Sequence, residues 1–280
     1  MSIEQYIESH LGCKISDKKT ISSGETSSFK ILTNTGLSIF AKYQDIENNN
    51  LINQARDLAL LKESMNTPKV LGYSKNCLLL EWVETSHNKD HQEEAGKVLA
   101  NLHKRTNKYF GFDYDNMIGE MPQYNAVNQS ITSWKVFFWE YRLLFQIKHA
   151  LKNELINNKE YIKLLLIKSK LENLFNSSIK PSLLHGDLWS GNVISGIKSP
   201  VFIDTSCYYG HSEADLALTY MFGGFSNEFY KSYELHSLPE SGSEQRKPIY
   251  TLYHYLNHLN IFGSSYHPSV LSCANQILDS

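Results

Sequence analysis

LLHGDLWSGNV (Leu183–Val193), with VFID (Val201–Asp204) a short way behind it, decides how the rest of the chain is read. An apolar pair runs into His185-Gly186-Asp187, Asn192 follows five positions after Asp187, and a strand-like run ends in a second carboxylate, Asp204. A phosphotransfer site needs one carboxylate to orient and deprotonate an acceptor hydroxyl. It also needs an Asn and a second Asp as hard oxygen ligands for Mg²⁺ on ATP phosphates. Asp187 is therefore the candidate base, and Asn192 and Asp204 are the candidate metal ligands. HGD would also serve as a plain polar turn between strands. Such a turn does not call for two apolar runs each ending in Asp with an Asn between them.

With 280 residues the chain is long enough for two lobes with cores of their own, and 41% hydrophobic and 12% aromatic residues describe a globular protein. A formal charge of −2 and no basic block leave no footprint for nucleic acid. The N-terminus lacks a basic start followed by an apolar core, and no apolar run suits a bilayer span, so a cytoplasmic location is expected. Cys13, Cys77, Cys207 and Cys273 lie far apart without CxxC spacing, as reduced thiols do. The sequons at Asn128 and Asn176 are then chance matches.

Upstream, Ile3, Tyr6, Ile7 and Leu11 recur at helical spacing over residues 1–12. Lys18–Tyr43 reads as three strands, with the small-residue loop ISSGETSSF between the first two and a turn at Asn34-Thr35-Gly36. Gly24 and the hydroxyls of that loop can face phosphate oxygens, although a plain polar hairpin is the better reading of the loop alone. In LSIFAKY, Leu37, Ile39 and Ala41 share one face and Phe40 and Lys42 the other, which places Lys42 to reach inward beside a nucleotide. A lone strand lysine is ordinarily a solvated edge residue, and the downstream Asp/Asn/Asp set is what favours the phosphate contact. LINQARDLALLKES reads as a helix with Leu51, Leu58 and Leu61 on its buried stripe. Gln54 lies on the same stripe, placed to orient Lys42 or to sit half-exposed at the edge. After the buried strand CLLLEWVE the composition turns polar (TSHNKDHQEE), which marks a lobe boundary after Glu84. Backbone at Glu81, Trp82 and Val83 suits an adenine edge.

Further on, a helix covers Glu93–Leu102 and ends at His103. Phe110–Asn125 is a turn-rich, pocket-shaping loop. Trp134, Phe137, Phe138 and Tyr141 are core-facing helix aromatics, and Tyr161–Phe175 is one amphipathic helix. Asp215 stands at a helix start, where its carboxylate can also tie down the catalytic-loop backbone. His254 and His258 are four apart, but without the Glu of H-E-x-x-H they read as satisfied structural groups or as walls of an acceptor pocket.

LLHGDLWSGNV, YYGHSEADLAL (Tyr208–Leu218), MFGGFSNEFYKSY (Met221–Tyr233), the FGFD, NMIG and PQ.N elements of the 110–125 loop, and HYLNHLNIFGSSY (His254–Tyr266) resemble the signatures of the fructosamine kinase, or ketosamine-3-kinase, family. The likeness runs over nearly the whole chain. It implies an α+β, protein-kinase-like two-lobe fold, related to aminoglycoside and choline kinases. Residues 1–84 would form a small antiparallel-sheet, nucleotide-binding N-lobe, and residues 85–280 a mainly helical catalytic and substrate-binding C-lobe. It also implies an ATP- and Mg²⁺-dependent kinase acting on the carbon-3 hydroxyl of a small ketoamine or a glycated protein lysine, with no nucleic-acid or membrane partner, as a monomer or homodimer.

By this resemblance Lys42 is the phosphate-binding lysine, Asp187 the base, Asn192 and Asp204 the Mg²⁺ ligands, and Trp189 a contributor to the sugar pocket. Three positions depart from the family pattern: the nucleotide loop is glycine-poor, Gln54 stands where the family has Glu, and Thr205-Ser206 replace Pro-Ala. A kinase of the same fold acting on an aminoglycoside, a choline-like amine or a free sugar is the alternative, followed by a nucleotide-binding regulator without turnover.

Overall fold

The computed structural model describes residues 2–86, 90–175 and 178–280. Asn176, and His87 to Lys89 of the expected boundary stretch, lie outside the described residues. The chain forms two units, Met1–His91 with Asn192–Thr205, and Gln92–Gly191 with Ser206–Ser280. A single cut after Glu84 does not describe this division, because the hairpin of Val193–Ser195 and Pro200–Phe202 belongs to the first unit. It is bonded there at both ends. Ser86 N–H donates to the Ser195 carbonyl at 2.7 Å, and Phe202 N–H donates to the Asn66 carbonyl at 2.8 Å.

In the first unit α1 (Ile3–Leu11) starts at Ser2, whose hydroxyl and the Gln5 side chain form a reciprocal capping box, and ends at Gly12 with φ 65°. Five antiparallel strands follow in the spatial order β1-β2-β3-β5-β4: β1 (Ile15–Ser22), β2 (Thr26–Thr33), β3 (Ser38–Gln44), β4 (Val70–Tyr73) and β5 (Cys77–Glu81). Ile3 and Ile7 of α1 pack on one face with Ile31, Ile39, Ala41 and Leu79. On the other, Leu51, Ala55 and Leu58 of α2 (Asn50–Leu61) pack with Phe40, Leu78 and Leu80. Both faces of β5 are therefore covered, which is why its sequence is continuously apolar. Leu37, expected on the Ile39 face, lies in the turn before β3 and is 39% exposed. The alternation holds where it matters, since Lys42 shares the α2 side with Phe40.

The second unit is mainly helical. It comprises α3 (Gln92–His103), the short hairpin of β6 (Asn116–Ile118) and β7 (Met121–Gln123), and α4 (Trp134–Phe138), which continues through a wide π turn at Trp139–Leu143 into α5 (Leu144–Lys152). After α6 (Asn158–Leu165) and α7 (Ile167–Leu174) comes β8 (Ser182–Leu184), which pairs antiparallel with Tyr208–Gly210. Then follow α8 (Glu213–Met221), α9 (Asn227–His236), α10 (Ser243–Phe262) and α11 (His267–Asp279). The helix expected over Tyr161–Phe175 is broken at Leu166, where Leu166 N–H turns to the Lys163 carbonyl and the Ser169 hydroxyl caps the Leu166 carbonyl. Its stripe still reaches one core. Leu164, Ile167 and Leu171 join Trp134, Phe137, Phe138, Ile249, Tyr250 and Leu256, and the π turn lets the aromatic helix keep that face inward.

Helices α3 and α9 pack so closely that a Cβ on Gly96 would stand 2.1 Å from the Phe229 carbonyl oxygen. Gly96→Ala is expected to lower stability by about 1–3 kcal/mol through overpacking. Chemical denaturation checks this, with an unchanged midpoint counting against the packing.

Candidate active site

In the first unit four of the expected side chains meet. Lys42 projects from β3 on the α2 side, 14% exposed at its side chain, and its Nζ donates to Asp204 Oδ1 at 2.6 Å. Gln54 Nε2, from α2, donates to the same oxygen at 3.3 Å. Gln54 thus reaches the lysine's partner rather than the lysine, because a single carboxylate oxygen collects both donors. Ile203 N–H donates to the Asn192 carbonyl at 3.0 Å, and Asn192 Nδ2 lies 3.4 Å from the Asp204 carbonyl. Asp204 itself has φ 53°, a left-handed conformation costly for a residue other than glycine. Asn192 and Asp204 present hard amide and carboxylate oxygens, a donor set that fits Mg²⁺.

The remaining nucleotide-site candidates are more loosely defined. Gly24 does not adopt a left-handed conformation, and a Cβ there would come no nearer than 4.0 Å to the Thr26 carbonyl, so the loop makes little geometric demand for glycine. At the end of β5, Glu81 Oε1 accepts from Lys69 N–H at 2.8 Å, and Trp82 commits its N–H to the Ser38 carbonyl at 3.2 Å. The Lys30 ammonium lies over the Trp82 ring, and Val83 is half-buried.

In the second unit the strand β8 delivers His185-Gly186-Asp187. Gly186 has φ 86°, and a Cβ there would stand 1.8 Å from the Ser206 carbonyl oxygen, so only glycine fits. Ser206 N–H donates to the His185 carbonyl at 2.9 Å, which binds the strand segment to the loop. Asp215, 2% exposed at the start of α8, accepts from His185 N–H at 2.7 Å, Gly186 N–H at 2.8 Å and His103 Nε2 at 3.1 Å. Burial pushes this carboxyl up, but the bond from His103, with His185 and Gly186 behind it, holds it below the usual carboxylate range. The Tyr233 hydroxyl, pushed up to about 12 by burial, keeps its proton and sits 2.8 Å from His103 Nδ1. Asp187 itself is half-buried.

Trp189 is 41% exposed and folds back over Gly191, where a Cβ would stand 2.2 Å from its ring. A row of aromatic rings continues from it through Phe222 to His258, which also meets Phe262 and Tyr266. Burial lowers the pKa of His258, and its Nδ1 lies 2.8 Å from the His254 carbonyl. His254 is buried at 4% exposure, and burial followed by the nearby His258 lowers it to about 4. The two histidines therefore differ: His258 edges a surface aromatic row and His254 is a neutral interior group. The 110–125 loop differs from expectation as well. It carries buried Asn116, Gln123 and Asn125, whose side chains bond to one another and to the Ser206 and Cys207 carbonyls. Three side-chain amides interleaved with Met117, Ile118 and Met121 were the available sign of it.

The model of the family described as fructosamine kinase matches residues 1–280. The chain is 39% identical over 205 residues to an Arabidopsis thaliana protein, "Protein-ribulosamine 3-kinase, chloroplastic", covering 72% of this chain and 61% of that protein. A solved Haemophilus somnus structure assigned as fructosamine-3-kinase is 30% identical with a TM-score of 0.85, covering 99% of this chain and 97% of the other. The streptomycin and ATP ternary complex of APH(2")-IIa superposes with a TM-score of 0.64 at 16% identity, covering 98% and 97%. The fold is protein-kinase-like, with an antiparallel-sheet N-terminal region and a helical C-terminal region. No helix among the described residues is long and apolar enough to cross a membrane.

Asp215→Ala would leave two buried N–H groups and His103 without their acceptor, an expected loss of about 3–5 kcal/mol. Because the native carboxyl titrates below its unfolded value, its contribution is present above the unfolded carboxylate pKa and is lost as pH falls through the native one. Acid titration of unfolding free energy should show the wild-type advantage over Asp215→Ala shrinking at low pH, and a pH-independent difference would refute the assignment.

Proposed function

The chain belongs to the fructosamine kinase family, and we propose that it transfers the γ-phosphoryl group of ATP to the carbon-3 hydroxyl of a ketoamine, a sugar joined to an amine by glycation. The family match over all 280 residues carries this reading, and the ribulosamine 3-kinase activity named for the Arabidopsis relative supports it. The substrate is a free adduct or a glycated protein lysine, and the place of action is the cytosol. Phosphorylation makes the adduct labile, so the amine is recovered.

The side chains divide the work. Lys42, held by Asp204 at 2.6 Å, donates to phosphate oxygens. Asn192 and Asp204 would hold Mg²⁺, which when bound would supply the positive charge that neutralises the phosphates. Asp187 orients the acceptor hydroxyl and takes its proton as the phosphorus–oxygen bond forms. Trp189 and His258 face the sugar or amine, and His254 supports His258 from the interior. Gln54 holds the Asp204 carboxylate without adding charge.

Asp187→Ala should lower kcat by about 10²–10⁴-fold while ATP still binds, as followed by phosphate incorporation and by calorimetry. Full turnover in this variant would remove Asp187 from the mechanism. Asp204→Asn should raise the Mg²⁺ concentration needed for half-maximal activity, and an unchanged metal requirement would move the ligand elsewhere.

A further inference from the structure

The loop carrying Asp187 is held from two sides. Asp215 holds its N–H groups, and Ser206 lies against Gly186 with no space for a side chain. What holds Ser206 is a buried polar chain. Gln123, 1% exposed, donates through Nε2 to the Ser206 carbonyl at 3.0 Å and to Asn116 Oδ1 at 2.9 Å, and its own Oε1 accepts from the Tyr253 hydroxyl at 3.2 Å. Asn116 Nδ2 donates to the Cys207 carbonyl at 2.9 Å. Asn125 Nδ2 also donates to Asn116 Oδ1, at 3.1 Å, and Asn125 Oδ1 receives Arg142 Nη2 at 2.7 Å. The Ser206 hydroxyl closes the ring by donating to the Met117 carbonyl.

Arg142, in the π turn, is 0% exposed, and its guanidinium lies 4.1 Å from the Tyr208 ring centre. A cation at one end polarises the amides of Asn125 and then Asn116, and strengthens their bonds as far as the Cys207 carbonyl. Gln123, a second donor to Asn116 Oδ1, ties this chain to the Ser206 carbonyl that abuts Gly186. Alanine at position 206 could not make the bond to Met117.

We propose that Gln123, backed by Asn116, Asn125 and Arg142, is a positioning residue that sets the catalytic loop through Ser206, whose hydroxyl reinforces the hold. The proposal rests on the reading of Asp187 as base. Its signature is a loss of kcat without loss of nucleotide affinity, because Gln123 touches the loop's support and not ATP. A displacement of about 1 Å at a reacting group can cost on the order of 10²-fold in rate.

The test compares wild type, Gln123→Leu and Ser206→Ala in ketoamine phosphorylation, thermal unfolding and amide hydrogen exchange. Gln123→Leu is expected to lower kcat about 10–100-fold and Ser206→Ala less, each with KM for ATP within about twofold. Amides of 184–188 should exchange faster while those of α11 do not. Should Gln123→Leu fail to fold, Ser206→Ala, which removes a single hydroxyl, carries the same comparison. Unchanged kcat in the folded variants overturns the proposal. So does a kcat loss that merely tracks the melting temperature and disappears in the cold. If wild type transfers no phosphate to ketoamines, the functional reading fails by itself, and faster or unchanged exchange at 184–188 still decides whether Gln123 positions the loop.

Discussion

The buried carboxylate of Asp215 is the point on which the His185-Gly186-Asp187 segment depends. Its two backbone acceptor bonds, at 2.7 and 2.8 Å, fix His185 and Gly186 in a conformation only glycine can take at the second position. Such a carboxylate is costly to bury, and the His103 imidazole with Tyr233 behind it offsets that cost. Three helices, α3, α8 and α9, thereby contribute one group each to a single loop. The close approach of α3 to α9 at Gly96 belongs to the same arrangement, since it brings His103 and Tyr233 within bonding distance.

The chemistry-bearing residues are close in sequence but not in one unit. The chain passes from the second unit to the first between Gly191 and Asn192 and returns between Thr205 and Ser206. Asp187 therefore belongs with the helices, and Asn192 and Asp204 with the sheet, Lys42 and Gln54. Ser206 follows Asp204 by two residues and is clamped by β6 and β7 in the second unit. A substitution there acts where the chain re-enters the second unit, close to the candidate base and two residues from a candidate metal ligand.

Much of this was legible because local rules and tertiary demands agreed. Alternation along β3 put Lys42 opposite Ile39 and Ala41, and the HGD spacing with a following Asn and Asp gave the candidate set. The position of Asp215 before an apolar helical run gave its role as a loop anchor. What escaped was set by packing. The turn removed Leu37 from its expected face, a local bond at Leu166 divided one amphipathic helix in two, and the hairpin after Asn192 joined the first unit through bonds to Asn66 and Ser86. Nor could spacing show that Gln54 meets Asp204 instead of Lys42, because that depends on which carboxylate lies over α2. The polar chain from Arg142 to Ser206 joins residues far apart in sequence, and only the fold brings them together.

The most direct measurement is to incubate the protein with Mg²⁺–ATP and lysine adducts of fructose and ribulose, and to locate the added phosphate by phosphorus–proton correlation spectroscopy. The account predicts a single phosphate ester on the carbon-3 hydroxyl of at least one adduct. A phosphate on another hydroxyl, or no ester while ATP binds normally, would contradict it.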